Sequence, residues 1–157
     1  MTSLSYPIKR LTTTPAAVAD FPADYWDSFA TTATGASAQQ WARLSLRGAE
    51  SAGGIFSLLI WQGLLGFNLD TPGAPGTVAG WRIADETPQR VVLDADGRLM
   101  QGRMVFEIAG QDTTWTTMIH YHHALARPIW TVASQVHRAL VPRCLHGAQR
   151  ALRRSST

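Results

Sequence analysis

Cysteine is almost missing from this chain: one residue, Cys144, among 157. A single thiol closes no internal disulfide, so covalent cross-linking is excluded as a source of stability and a reducing, cytoplasmic setting is expected. A lone Cys on an apolar helix face reads as a small buried hydrophobe rather than a nucleophile. Also missing is an apolar run long enough for a membrane. GGIFSLLIWQGLLGF, residues 53–67, comes nearest but is interrupted by Ser57 and Gln62. Its length gives only about 22 Å of helix against a hydrocarbon core of roughly 30 Å, so the segment is expected to be a helix inside the domain. The start, MTSLSYPIKRLTTTP, lacks the basic and apolar regions of a signal peptide.

Acid is missing from the last third. Up to Asp112 there are eight basic and eleven acidic residues, net −3; beyond it come Arg127, Arg138, Arg143, Arg150, Arg153 and Arg154 with no Asp or Glu, net +6. These arginines are spread rather than clustered, without an aromatic basic groove, so a nucleic-acid partner is not expected. Cations late in a helix complement its dipole and solvate its outer face. Motifs for nucleotide or ester chemistry are lacking too. The glycines of residues 73–80 have neither the Lys-Ser/Thr nor the strand-to-helix setting of a phosphate loop, and there is no G-x-S-x-G elbow.

What is present is a globular composition, 45% hydrophobic and 16% charged, with six Trp. One domain fits this length, and folding at such a size removes roughly two-thirds of the chain's surface from water. Residues 1–20 show no clear periodicity and form an arm whose order depends on docking; residues 21–157 form the domain. ADYWDSFATTA, residues 23–33, alternates as a strand with Tyr25, Phe29 and Ala33 on one face, provided Asp27 sits near an edge or mouth. Ser37 is an N-cap candidate for a helix over AQQWARLSLRG, and a second short helix is expected after the break at residues 48–54.

NLDTPGAPGTVAG, residues 68–80, is a loop by its Pro and Gly content. Four strand-like segments follow: VAGWRIADETP, QRVVLDADG, RLMQGRMVFEIAG and QDTTWTTMIHYHH. Their short connections predict antiparallel hairpins. In the third, Met100, Met104, Phe106 and Ile108 share a face opposite Gln101, Arg103 and Glu107, a half-buried pattern. Asp94 and Asp96 are expected to belong to the turn at Gly97. The apolar face then needs cover. ARPIWTVASQVHRALVPRCLHGAQRALRR supplies a helix opening near Pro128, with Ile129, Trp130, Ala133, Val136, Leu140, Cys144, Ala148 and Leu152 as its inward stripe, kinked or divided at Pro142.

This order of elements resembles the helix-grip fold of the START-like and polyketide-cyclase-like (SRPBCC) superfamily. The texture of GWRIADETPQRVVLDADGRLMQGRMVFEI followed by WTTMIHYHHALARPIWTVASQVHRALVPRCL is similar to an uncharacterised bacterial branch of it, over residues 23–152. Five strands are legible where members usually have seven. The expected class is therefore α+β: a curved antiparallel sheet, two short helices after the first strand, and a long C-terminal helix packed across it. The resemblance implies a hydrophobic ligand, lipid- or polyketide-like, held between sheet and last helix. It names no shared catalytic set, and fold alone does not establish activity.

His120 and His122 share a strand face about 7 Å apart, a chelating geometry that still needs a third ligand. Asp27, Glu107, His137 and His146 are the choices, none at a diagnostic spacing, so no metal is assigned and no cofactor is expected. His137, mid-helix beside the apolar stripe, is the stronger candidate for orienting a carbonyl or moving protons, with Tyr121 as a hydroxyl donor on the cavity wall. Trp81, Met104, Phe106, Trp115 and Trp130, with His137, are the expected ligand-lining set. The leading expectation is a binding domain. A cyclase- or aromatase-like enzyme using the same cavity is the alternative, and a third reading sets the basic last helix against an acidic partner.

Overall fold

Two ten-residue strands joined by a two-residue turn dominate the sheet. The computed structural model describes residues 6–32, 35–47, 60–71 and 73–155. In chain order the strands are β1 (Lys9–Arg10), β2 (Tyr25–Thr32), β3 (Thr77–Val78), β4 (Trp81–Thr87), β5 (Arg90–Asp96), β6 (Met100–Ala109) and β7 (Asp112–Tyr121). The helices are α1 (Ala38–Ser45) and α2 (Ala126–Ser155). A 3-10 turn spans Ala16–Asp20 and a π-helical turn Ile60–Leu64. The fold is α+β, one curved antiparallel sheet with a long C-terminal helix.

The sheet order is β1-β2-β7-β6-β5-β4-β3. Strands β4 to β7 form the meander that the short turns predict, and β2 returns to pair with β7 from Tyr25↔Ile119 to Thr32↔Asp112. β1 and β3 are two-residue edge strands that their sequences do not announce. β1 comes from the N-terminal arm, which therefore docks on the sheet in the residues described. The hairpin turn after β6 works because Gly110 adopts a φ of 61°, a left-handed conformation that only glycine takes without a Cβ penalty.

Alternation along the strands divides the sheet into two faces. On one, Phe29, Trp81, Val91, Leu93, Met104, Phe106, Trp115 and Ile119 join Trp41 of α1 and Trp130, Val141, Leu145 and Ala148 of α2 in the main core. The opposite face carries a second cluster that the sequence reading did not anticipate. There Val92, Val105 and Met118 are covered by Ala17 and Phe21 of the arm. Arg103 fastens this cover: its guanidinium pairs with Asp94 through Nε at 2.7 Å and Nη2 at 2.9 Å, and lies 5.1 Å from the centre of the Phe21 ring. Asp94 is thus a buried strand residue and not part of a turn. Asp96 ends β5, and the turn follows it.

Local chemistry explains the helices. Ser37 caps α1 as expected and does so reciprocally: its hydroxyl accepts from Gln40 N at 3.2 Å, while its own N donates to Gln40 Oε1 at 2.9 Å. α2 runs thirty residues without division at Pro142. Its inward stripe is rotated from the expected one. Ser134 and Gln149 are buried, while Val136 is 52% and Leu140 44% exposed. Ser134 donates to the Thr131 carbonyl at 3.0 Å, and Gln149 donates through Nε2 to the Thr31 hydroxyl while its Oε1 is buried without a hydrogen-bond partner. Of the helix expected over residues 53–67, residues 53–59, like Ala33 and the break at residues 48–54, lie outside the described residues. Phe67 is not helical; it bridges to Gly97.

Candidate functional site

Asp27 pairs with Thr117 of β7 on one side, while on the other β1 pairs only with Phe29 and Ala30, so Asp27 lies just past that pairing, near the edge of the sheet. Its side chain is fully buried on the sheet face beneath α2. A bare carboxylate there would lose several kcal/mol of hydration, so it needs partners. Two supply them. Tyr25, two residues earlier and so on the same strand face, donates its hydroxyl to Asp27 Oδ2 at 2.6 Å. His137 of α2 brings Nε2 to 3.1 Å from Oδ2 and 3.4 Å from Oδ1. A carboxylate only accepts, so His137 Nε2 carries the proton in this contact, and Nδ1 is left for another partner.

Aromatic rings enclose the pair. The Trp130 ring lies 5.5 Å from that of His137 and 5.4 Å from that of Tyr25; Trp115 stands perpendicular to His137 at 6.3 Å. This setting pushes the Tyr25 hydroxyl far above its ordinary value, first by burial and then by the negative charge of Asp27 beside it. Three more polar atoms on the same surfaces are buried without a hydrogen-bond partner: Thr117 Oγ1, Trp115 Nε1 and Trp130 Nε1. Thr117 is the cross-strand partner of Asp27. One edge of the site is less closed. His137 keeps 18% of its side-chain exposure, and Ala133 and Ile129, one and two turns earlier on the same row of α2, are half-buried.

The expected lining residues are brought together in part. Met104, Phe106, Trp115 and Trp130 are all buried in the main core, with Phe106 and Trp115 stacked at 4.8 Å. Trp81 joins the same core but contacts Trp61 and Phe67, over Gly102, whose missing side chain leaves room for both rings. Tyr121 does face the α2 side, two residues beyond the cross-strand partner of Tyr25. Its ring, however, packs under the Arg127 guanidinium at 5.1 Å, so the hydroxyl beside Asp27 and His137 is that of Tyr25. Sequence reasoning named Asp27 only as a metal ligand for the His pair and passed over Tyr25 as a donor. The D-at-i, Y-at-i−2 spacing on one strand face was the signal available.

The histidine cluster lies elsewhere. His120 and His122 point to the face away from α2, with rings 5.3 Å apart. Each meets its own carboxylate: His120 Nδ1 lies 3.0 Å from Asp24, and His122 Nε2 lies 2.9 Å from Asp96. Asp24 also accepts from Tyr121 N at 2.7 Å, which ties the start of β2 to the end of β7. His123 accepts from the Leu125 backbone at the approach to α2. Among the described residues, no three His, Cys, Asp or Glu side chains are placed to hold a metal.

A cleft of about 620 Å3 opens between α1 and α2, lined by Leu44, Ser45, Arg47, Arg143, Cys144, Gly147, Arg150, Ala151 and Arg154. Burial pushes the Cys144 thiol up, away from the thiolate form. No helix among the described residues is long and apolar enough to cross a membrane.

Comparison with known proteins adds little. No family model matches the chain, and no curated protein matches it. Among solved structures, a Pseudomonas aeruginosa protein of unknown function, described as a regulator candidate, aligns over 90% of this chain and 83% of its own, at 15% identity and a TM-score of 0.25. A likeness at that level supports no inference about this chain.

Proposed function

We propose that this chain is a helix-grip domain that binds a small, largely apolar molecule between the sheet and α2, with His137 as the polar group that orients it. The carrying observation is the buried Asp27–His137 contact, placed among Trp115, Trp130 and Phe106. Folding alone gives no reason for it. Replacing a buried charged pair by packed apolar residues is often neutral or stabilising, by about 1–4 kcal/mol. Here Asp27 fixes the imidazole through Nε2, and Nδ1, an acceptor in that tautomer, can take a hydrogen bond from a ligand hydroxyl. Thr117 Oγ1 and the two indole N–H groups are further unused polar atoms on those walls. Affinity would then come mainly from apolar area, at about 25 cal/mol per Å2, with these groups setting orientation.

Native mass spectrometry of freshly purified protein tests the reading. A retained apolar species, lost in the Asp27→Leu/His137→Leu variant, in which replacing both partners keeps the melting temperature near that of the parent, is the expected result. Protein that carries nothing and binds no member of a panel of lipid-like alcohols would reject it.

One observation favours a second, enzymatic reading. A carboxylate that holds one nitrogen of an imidazole and leaves the other as a proton acceptor is the arrangement of a general base and its positioning group. The corresponding activity is a cyclase- or aromatase-like proton transfer on a chain with several carbonyls. Turnover of such a compound that falls at least a hundredfold in both Asp27→Asn and His137→Gln would favour it over simple binding.

A further inference from the structure

The cleft between α1 and α2 belongs to neither reading above. We infer that it is a second binding site, for a small phosphomonoester with an apolar body. Four arginines, Arg47 from the end of α1 and Arg143, Arg150 and Arg154 from α2, border it, with Leu44, Cys144 and Ala151 beside them. Positions 143, 147, 150 and 154 fall on one helical row, so three of the four guanidinium groups and Gly147 share one edge. No acid occurs beyond Asp112, and among the described residues no carboxylate pairs with Arg47, Arg143 or Arg150. Among the described residues, the charge of those three is therefore open to an external anion. Guanidinium matches phosphate oxygens bidentately, which favours a phosphate group over a point-charge partner. The volume lies within the range of small-molecule sites, roughly 300–1,000 Å3.

Gly147 supplies an independent reason. A glycine inside a helix destabilises it by about 0.5–1 kcal/mol relative to Ala. At the buried Gly80 and Gly102 a close neighbour explains the missing side chain, but a Cβ at the half-buried Gly147 would meet nothing within 4 Å. Its φ is not in the left-handed region either. No packing or backbone demand accounts for glycine here; what its lack of a side chain does is keep the wall of the cleft open.

The test titrates octyl phosphate, below its micelle concentration, into the full chain by calorimetry, with inorganic phosphate and octanol as comparisons. Saturable 1:1 binding is expected, at least tenfold tighter than for either comparison. Arg143→Gln/Arg150→Gln should weaken it at least tenfold and Gly147→Leu should abolish it, while His137→Phe leaves it unchanged and so separates this site from the one under α2. Octyl phosphate should also slow alkylation of Cys144, the sole thiol, by N-ethylmaleimide at least fivefold, a readout that needs no variant. Equal binding of inorganic phosphate or octanol, undiminished binding by Gly147→Leu, or unprotected Cys144 would overturn the proposal. So would capture of the protein by phosphatidic-acid vesicles without binding of soluble octyl phosphate.

Discussion

His137 and Asp27 are 110 residues apart in the chain and 3.1 Å apart in space, the one on a helix and the other on a strand. Their contact ties α2 to β2 through a carboxylate that has no exposure to water. It is also the contact whose removal distinguishes a structural from a functional role.

Asp27→Ala should destabilise the protein by about 3 kcal/mol, since it strands the Tyr25 hydroxyl and the His137 Nε2 proton. At this chain length that corresponds to a fall in Tm of roughly 6–12 °C. Asp27→Leu combined with His137→Leu should recover most of the loss. Urea unfolding of the three proteins reads both effects. A double variant as unstable as the single one would mean that the pair serves stability after all.

Tyr25 makes stability fall in alkaline solution. Its hydroxyl ionises only well above the ordinary 10.0 in the folded protein, so above about pH 10 the unfolded chain releases a proton that the native state keeps. The unfolded state is then favoured, by up to about 1.4 kcal/mol per pH unit. Tyr25→Phe, compared with the parent in a Cys144→Ala background, should flatten the decline between pH 10 and 11. Identical slopes would show that Tyr25 is not the group responsible.

Arg103 should matter more than its place on the outer sheet face suggests. Arg103→Lys keeps the charge but loses the two-pronged bond to Asp94 and the flat contact with Phe21. A loss of about 1–3 kcal/mol is expected, accompanied by faster proteolysis near residues 16–21 as the arm lifts. Unchanged proteolysis would dissociate the arm from this ion pair.

Two glycine substitutions should have opposite signs. At Gly97 a Cβ would lie 2.2 Å from the Gly66 carbonyl oxygen, so Gly97→Ala must shift backbone and should cost more than about 2 kcal/mol. Gly147→Ala meets open space and should stabilise α2 by about 0.5–1 kcal/mol. Thermal melts of both suffice.

Much of the framework was readable because it is local. The hairpins from Trp81 to Tyr121 follow from alternation and turn residues, and the Ser37/Gln40 cap from a four-residue pattern. Three features were not: two depend on partners distant in sequence and one on the pairing register of a hairpin. Asp27 has no visible partner until His137 is known to cover it. The rotation of α2, which buries Ser134 and Gln149 and exposes Val136 and Leu140, depends on where α1 and Thr31 lie. Asp94 looks like a turn acid because its partner Arg103 sits across a hairpin. The His120/His122 pair was placed correctly on one strand face, but which carboxylates it meets was beyond the pattern. For the site, His137, Trp115 and Trp130 were anticipated; Tyr25 was not, because Tyr121 satisfied the same requirement on paper.

The short outermost strands bear on how copies of this chain can meet. A long bare rim invites another molecule to zip on by main-chain hydrogen bonds, the route to fibrous aggregates. One rim of this sheet is the pair Lys9–Arg10, with two like charges repelling their counterparts, and the other is Thr77–Val78, too brief to template a neighbour. Self-association through these rims is thereby discouraged, even in crowded solution.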